Sequence, residues 1–336
     1  MVERSSRVQQ KVKGRREMSQ SIIPTHSLDR SVIKWEDHLR DLTPVENHKG
    51  MWFKREDYFN TLGYGGPNGS KLRQLIYYMS NNRKGKTHVL TGASIQSPQL
   101  SMSAIVGAHL GLPSRMVVYS KPDTVLRHDN PRIARGFGTQ FEYANAPYNP
   151  VLQRMVGDLT RPDSLVVNYG ITVDHEKHPE DLMGFHDVGA NQTRNIPPEV
   201  KTLIVPAGSC NSLCSILLGL SRDAHNIETL FTVGIGPSKG QWIRERAEIM
   251  GINLDALPFR WKHHSLHDTG YSKYTDKFTN ESYDGIGFHP TYEAKVWRFL
   301  RQQGMDFDDS ALFWIIGSEP KLSVISPFFT HPINPN

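Results

Sequence analysis

Apolar residues fall along this chain in short runs, each bounded by glycine, proline or polar turns. Met51-Trp52-Phe53, His88-Val89-Leu90, Arg115 to Tyr119, Gln140 to Tyr143, Leu165 to Asn168, Leu203-Ile204-Val205, Leu230 to Gly234 and Leu312 to Ile316 have the length and residue types of buried strands. Between them lie segments with helical spacing. These are Val32 to Leu42, Lys71 to about Asn81, Pro98 to Leu110, Pro131 to Gly138, Val151 to Leu159, Pro179 to Asn195, Leu213 to Leu220, Ile243 to Met250 and Pro290 to Gln303. Strand and helix alternating in this way predict an α/β fold, with parallel sheets covered by helices on both faces. Pro258 to Asp284 reads as irregular, aromatic and rich in histidine.

Length and charge narrow this only a little. A chain of 336 residues can form two domains that share a cleft, and 38% hydrophobic with 22% charged residues fits a globular enzyme rather than a disordered chain. No run of uninterrupted apolar residues is long enough to span a membrane, so none is expected to do so. Met1 to Gln20 is polar and basic, without the apolar centre of a secretory leader, and is expected to be a mobile arm over residues 1–22. Cys210 and Cys214, four residues apart, suit one helical face better than a bridge, which predicts a reducing, cytoplasmic setting. No Cys/His pair has structural-zinc spacing, and His263, His264 and His267 read as a polar loop, so no metal site is expected. The net charge of +5 leaves both nucleic acid and acidic small ligands open as partners.

Four segments could carry chemistry. Lys54-Arg55-Glu56-Asp57 leads to a turn, Gly65-Gly66-Pro67-Asn68-Gly69-Ser70, and then to Lys71 at the start of a helix. A lysine held there and partly removed from water loses some of its preference for charge and can act as an amine nucleophile. It could equally open an ordinary surface helix. The strand, small-residue turn and helix at 203–220 can aim backbone N–H groups at a phosphate, although no Walker or dinucleotide pattern is present. Thr91 to Gln99 offers Ser94, Gln96, Ser97 and Gln99 to a carboxylate, or simply caps a helix. Tyr292 and Glu293 stand together at a helix start, either facing a cleft or serving as a packed ring and a first-turn acid.

In this order the segments resemble the fold-type II pyridoxal-phosphate enzymes, in the branch of 1-aminocyclopropane-1-carboxylate deaminase and D-cysteine desulfhydrase. Lys54 to Asp57 with the glycine turn and Lys71, Ile95-Gln96-Ser97 with Gln99, Ala207 to Ser212, and Pro290-Thr291-Tyr292-Glu293-Ala294-Lys295 carry the likeness, over residues 45 to 320. The resemblance implies two doubly wound three-layer domains of the tryptophan-synthase-beta type, with pyridoxal 5'-phosphate in the cleft between them. It divides the chain into a large domain (23–84 with 180–326), a small domain (85–179) and a tail (327–336), and implies a homodimer. Lys71 would form the Schiff base, and Gly208, Ser209, Cys210, Asn211 and Ser212 would hold the phosphate. Glu293 would face the pyridine nitrogen, Ser94, Gln96, Ser97 and Gln99 the substrate carboxylate, and Tyr271 and Tyr292 the reacting carbons.

Several positions depart from that pattern. Pro98 replaces an asparagine, Ser70 replaces another, and Pro67-Asn68-Gly69 is inserted before the lysine. Cys210 and Asn211 displace glycines, and Asn168 to Ile171 lacks a glycine-serine turn. Three readings result. The first is a deaminase- or desulfhydrase-like lyase acting on a small amino acid. The second is the same chemistry on an amino acid carried by a modified nucleobase in DNA, of the kind some phages make, which would place the enzyme in a host cytoplasm. The third is a relative that keeps the fold without catalysis.

Overall fold

The strand Ala311–Ile315 (β12) is buried at every position, because it has neighbours on both edges and helices over both faces. One neighbour is Met51–Arg55 (β2) and the other Thr202–Ala207 (β7), both parallel to it. Val45–His48 (β1) adds antiparallel to β2, and Thr229–Gly234 (β8) and Arg260–Ser265 (β9) extend the parallel side. The six-stranded order is therefore β1-β2-β12-β7-β8-β9. A second sheet is wholly parallel, in the order Gln140–Tyr143 (β5), Ser114–Val118 (β4), His88–Gly92 (β3), Ser164–Val167 (β6). A small hairpin, Ser282–Tyr283 (β10) with Ile286–Gly287 (β11), completes the strands. This computed structural model describes residues 34–322 apart from 64, 174–178 and 306; the arm at 1–22 and the tail at 327–336 lie outside the described residues.

The helices cover these sheets as the apolar spacing predicts. Ser70–Asn82 (α1) buries Leu72, Leu75, Ile76 and Met79, the face expected of a 3.6-residue period. Pro98–His109 (α2), Asp129–Gly136 (α3) and Asn149–Leu159 (α4) belong to the second sheet, and Pro179–Ala190 (α5) follows it. Asn211–Leu220 (α6) is apolar nearly all round and buried, as a helix between two layers must be. Gly240–Ile249 (α7) and Glu293–Gln302 (α8) complete the set. The largest apolar cluster takes residues from both sheets, Val89 and Val167 with Leu203 and Val205, so one core joins them. A separate aromatic cluster, including Phe53, Phe288, Trp297 and Phe313, lies between the six-stranded sheet and α8.

Three expectations change. The helix expected over 32–42 is, where described, a single 3-10 turn at Trp35–His38. The helix expected through Asn195 ends at Ala190 and continues as a 3-10 turn, Asn191–Asn195. The irregular 258–284 segment contains β9. Only one of its six residues, Trp261, is apolar, and the strand exists because its backbone pairs with β8 at the sheet's edge.

Candidate active site

The C-terminal ends of β2, β12, β7 and β8 lie side by side, which is where open parallel sheets bind ligands. Lys71 is the second residue of α1, and the turn before it is built for close approach. Gly69 has φ +96°, and a Cβ there would lie 2.2 Å from the Ile316 carbonyl oxygen. Ser70 N donates to that same oxygen at 3.0 Å. Asn68 accepts from Ser318 N at 2.7 Å and donates to Ser318 Oγ at 3.0 Å. The Pro67-Asn68-Gly69 insert therefore docks the lysine's helix onto the segment after β12.

Three buried or half-buried lysines have amines well below their ordinary value, each chiefly through burial. Lys54 falls to about 7, Lys71 to about 8 and Lys295 to about 8. Hydrogen bonding separates them. Lys54 Nζ donates to Thr43 O (2.9 Å) and Asn195 Oδ1 (2.7 Å), and Lys295 Nζ donates to Lys273 O (2.6 Å) and Tyr274 O (3.0 Å). Among the described residues nothing holds the Lys71 amine, and the nearby Lys239 adds to its depression. A desolvated amine without partners is the one free to react.

The rest of the Lys-Arg-Glu-Asp run is framework. Arg55 pairs with Asp57 through two bonds (3.0 and 2.8 Å) and with Glu46 at 2.6 Å. Glu56 pairs with the fully buried Arg73, whose guanidinium also donates to Leu39 O and lies over Phe59.

After β7 the chain turns through Gly208, Ser209 and Cys210 into α6. Cys210 is left-handed, with φ 70°, and the first N–H groups of α6 lack partners within the helix. This turn can receive an anion. A Cβ on Gly208 would lie 3.2 Å from the Tyr292 ring, so the turn and that ring touch. The side chains of two of the five expected phosphate residues are occupied by neighbours. The Asn211 amide donates to Gly170 O (2.7 Å) and Ile171 O (3.2 Å), tying α6 to the segment after β6. The Cys210 thiol is buried, lies 3.7 Å from Gly208 O, and is pushed up to about 11 by burial. Ser209 and Ser212 are half-buried at the turn. Lys239, which precedes α7, places Nζ 3.5 Å from Ser209 O.

Glu293 begins α8. Its Oε1 accepts from Ile316 N (2.9 Å) and Gly317 N (3.4 Å), while Oε2 is buried without a partner. Burial raises this carboxyl to about 8. The Tyr292 hydroxyl lies 2.9 Å from that of Tyr274, and Tyr169 bears electrostatically on both phenols. Burial pushes Tyr274 up to about 12 and Tyr292 well above its ordinary range. Tyr271 stands elsewhere. Its hydroxyl donates to Gln302 at the far end of α8, separated from Glu293 by a ten-residue helix about 15 Å long. The tyrosine beside Tyr292 is Tyr274.

The 94–99 loop also differs from expectation. Gln99 is fully buried and spends its amide on Thr91 Oγ1 (2.8 Å), Asn168 O (2.9 Å) and Gly170 N (2.9 Å), so it is not available to a substrate. Ser97 Oγ caps α2 by accepting from Gln99 N, and Ser94 Oγ accepts from Gln96 N at 3.4 Å. Both hydroxyls keep a proton to donate. Gln96 is half-buried, with its Oε1 unpartnered.

No protein-family model matches the chain. A protein of Salmonella phage ViI named O-seryl-dTMP PLP-dependent decarboxylase is 33% identical over 363 residues, covering 88% of this chain and 85% of that one. The chain belongs to that family of pyridoxal-phosphate-dependent enzymes. Among solved structures, a homologue of 1-aminocyclopropane-1-carboxylate deaminase superposes with a TM-score of 0.62 at 18% identity, covering 84% of this chain and 94% of that one. An O-acetylserine-dependent cystathionine beta-synthase from Helicobacter pylori gives 0.55 at 14% identity, covering 85% and 95%. The fold is fold-type II, and the protein is an enzyme rather than a non-catalytic relative.

The residues of this fold-type II enzyme fit pyridoxal phosphate at three points. A free desolvated amine at Lys71 suits its aldehyde, the N–H-lined turn at 208–212 suits its phosphate, and the orphaned Glu293 Oε2 suits a protonated ring nitrogen. Lys239, Tyr274 and Tyr169 were not singled out by their sequence context. A lysine in the turn after the strand next to β7 was the one available signal.

Proposed function

We propose that this enzyme decarboxylates an amino acid carried on a thymidine nucleotide, using Lys71 as the cofactor lysine. Carbon dioxide leaves the seryl α carbon, a proton takes its place, and an O-linked aminoethyl group remains on the nucleotide. The phage relative's name supplies the substrate class. The observation that carries the choice of bond is the thinning of the 94–99 loop. Gln99 is spent on its neighbours and Pro98 has no N–H, so Ser94, Ser97 and the half-buried Gln96 remain to meet a carboxylate. A carboxylate held by few donors is poorly stabilised, which favours its loss as carbon dioxide.

Pyridoxal phosphate, when bound, supplies the sink for the electron pair left at the α carbon. The chain does the rest. Glu293 is raised to about 8 while it stands alone, so its Oε2 would take negative charge only against a protonated ring nitrogen, fixing orientation there, while its Oε1 stays tied to Ile316 and Gly317. Lys71 Nζ, lowered to about 8, can hold and release a proton near neutral pH and deliver it to the α carbon. Tyr292 packs on Gly208 and stays protonated, with Tyr274 fixing its hydroxyl.

The test incubates the loaded enzyme separately with O-seryl-dTMP, D-cysteine and 1-aminocyclopropane-1-carboxylate. We expect carbon dioxide and an aminoethyl nucleotide from the first, and neither ammonia nor sulfide from the others. Ammonia or sulfide release without decarboxylation of the nucleotide overturns the proposal in favour of a lyase acting on free amino acids.

A further inference from the structure

We propose that Lys239 is a positioning residue that supplies the counter-charge for the cofactor phosphate, reaching the Gly208–Ser212 turn from the neighbouring strand. The inference rests on the reading that this turn and Lys71 bind pyridoxal phosphate. Strands β7 and β8 run parallel with Ala207 opposite Gly234, so the turns that follow them emerge side by side. Lys239 ends the second turn and points back at the first, with Nζ 3.5 Å from Ser209 O. That separation is longer than an ordinary N–H···O bond, so the carbonyl steadies the ammonium without satisfying it. The Trp242 ring, 5.6 Å from Nζ, backs the side chain from the helix that follows.

The turn needs this charge because its other side chains have been diverted. Asn211 faces Gly170 and Ile171, and the Cys210 thiol lies against Gly208 O. Gln74, the α1 residue that reaches the turn, is neutral and bonds Asn211 O (3.3 Å) and Ser215 Oγ (2.9 Å). What remains for a phosphate is a set of backbone N–H groups and two hydroxyls, all uncharged. A dianion taken out of water is held about twice as strongly by a charged donor as by a neutral one. Lys239 also acts on the reactive amine, being the second cause of its depression after burial. One side chain thus approaches the turn and bears electrostatically on the reactive amine.

The experiment compares the cofactor with its phosphate-free form. Wild type, Lys239→Gln, Lys239→Met and Lys239→Arg are stripped and titrated with pyridoxal phosphate and with pyridoxal, following the visible band of the lysine-bound ligand. We expect Lys239→Gln and Lys239→Met to lose about ten- to a hundredfold in pyridoxal-phosphate affinity. Pyridoxal binding, which senses Lys239 only through the Lys71 amine, should fall much less than pyridoxal-phosphate binding, and Lys239→Arg should recover most of the loss. Retained pyridoxal binding also shows that the variants are folded. Equal losses for the two ligands, or no loss for either, overturn the role of Lys239 while leaving Lys71 in place. A wild type that forms no band with either ligand overturns the reading of Lys71 itself.

Discussion

Replacing Glu293 with glutamine removes a buried ionisable acid and leaves most of the geometry in place. Glu293 Oε1 accepts from Ile316 N and Gly317 N, and a glutamine carbonyl can accept both. What disappears is an acid raised from 4.5 to about 8 by burial. An acid raised on folding stabilises the folded state fully below its unfolded value, and that contribution is lost as pH climbs towards the folded value. At neutral pH, about 2.5 pH units above 4.5, the cofactor-free wild type should carry a penalty of at most about 3.5 kcal/mol, at ~1.4 kcal/mol per pH unit. The assay is thermal unfolding of both cofactor-free proteins at about pH 5 and about pH 8, spanning the shift. Any constant cost of burying the amide cancels in the difference between the two midpoints. That difference should move towards Glu293→Gln by several degrees as pH rises. Loading with pyridoxal phosphate should then raise the wild type more than the variant, because a protonated ring nitrogen meets the orphaned oxygen. A difference that does not change with pH, or moves towards wild type, refutes the reasoning.

Other perturbations give separate readouts. Lys71→Ala should abolish the visible band of the bound cofactor and all decarboxylation, while its unfolding midpoint stays near that of the wild type when both are cofactor-free. Gly69→Ala places a Cβ against Ile316 O at a backbone angle that disfavours side chains, so denaturant unfolding should show a loss of about 2 kcal/mol or more, with weaker cofactor binding. Asn211→Ala leaves Gly170 O and Ile171 O without their donor and should cost about 1–3 kcal/mol in the same assay, with faster hydrogen exchange at 169–171.

Periodicity made the layers legible, because the buried faces of α1 and the central strands follow the spacing of Leu, Ile, Val and Met. It was blind to β9, where paired backbone rather than apolar side chains makes the strand. The local order of residues located Lys71, Tyr292 and Glu293, since each sits at a turn into a helix. Sequence order could not show how polar side chains would be spent. Gln99 reads as a substrate ligand until Thr91, Asn168 and Gly170 are seen to occupy it. Tyr271 and Tyr274 are three residues apart, and only the path of the loop decides which one meets Tyr292. The run Lys54 to Asp57 is the reverse case. It looks like chemistry in the sequence, and three of its four residues pair into the framework while Lys54 is held by Thr43 and Asn195.

Those buried lysines also define the sharpest test. Lys54, Lys71 and Lys295 all have depressed amines, so depression alone does not select the one that carries the cofactor. Borohydride reduction of the loaded enzyme, followed by digestion and mass spectrometry, fixes the pyridoxyl group to the lysine that held it. The predicted result is a single modified peptide, carrying the group on Lys71. A pyridoxyl group on Lys54, Lys239 or Lys295, with Lys71 unmodified, would contradict it.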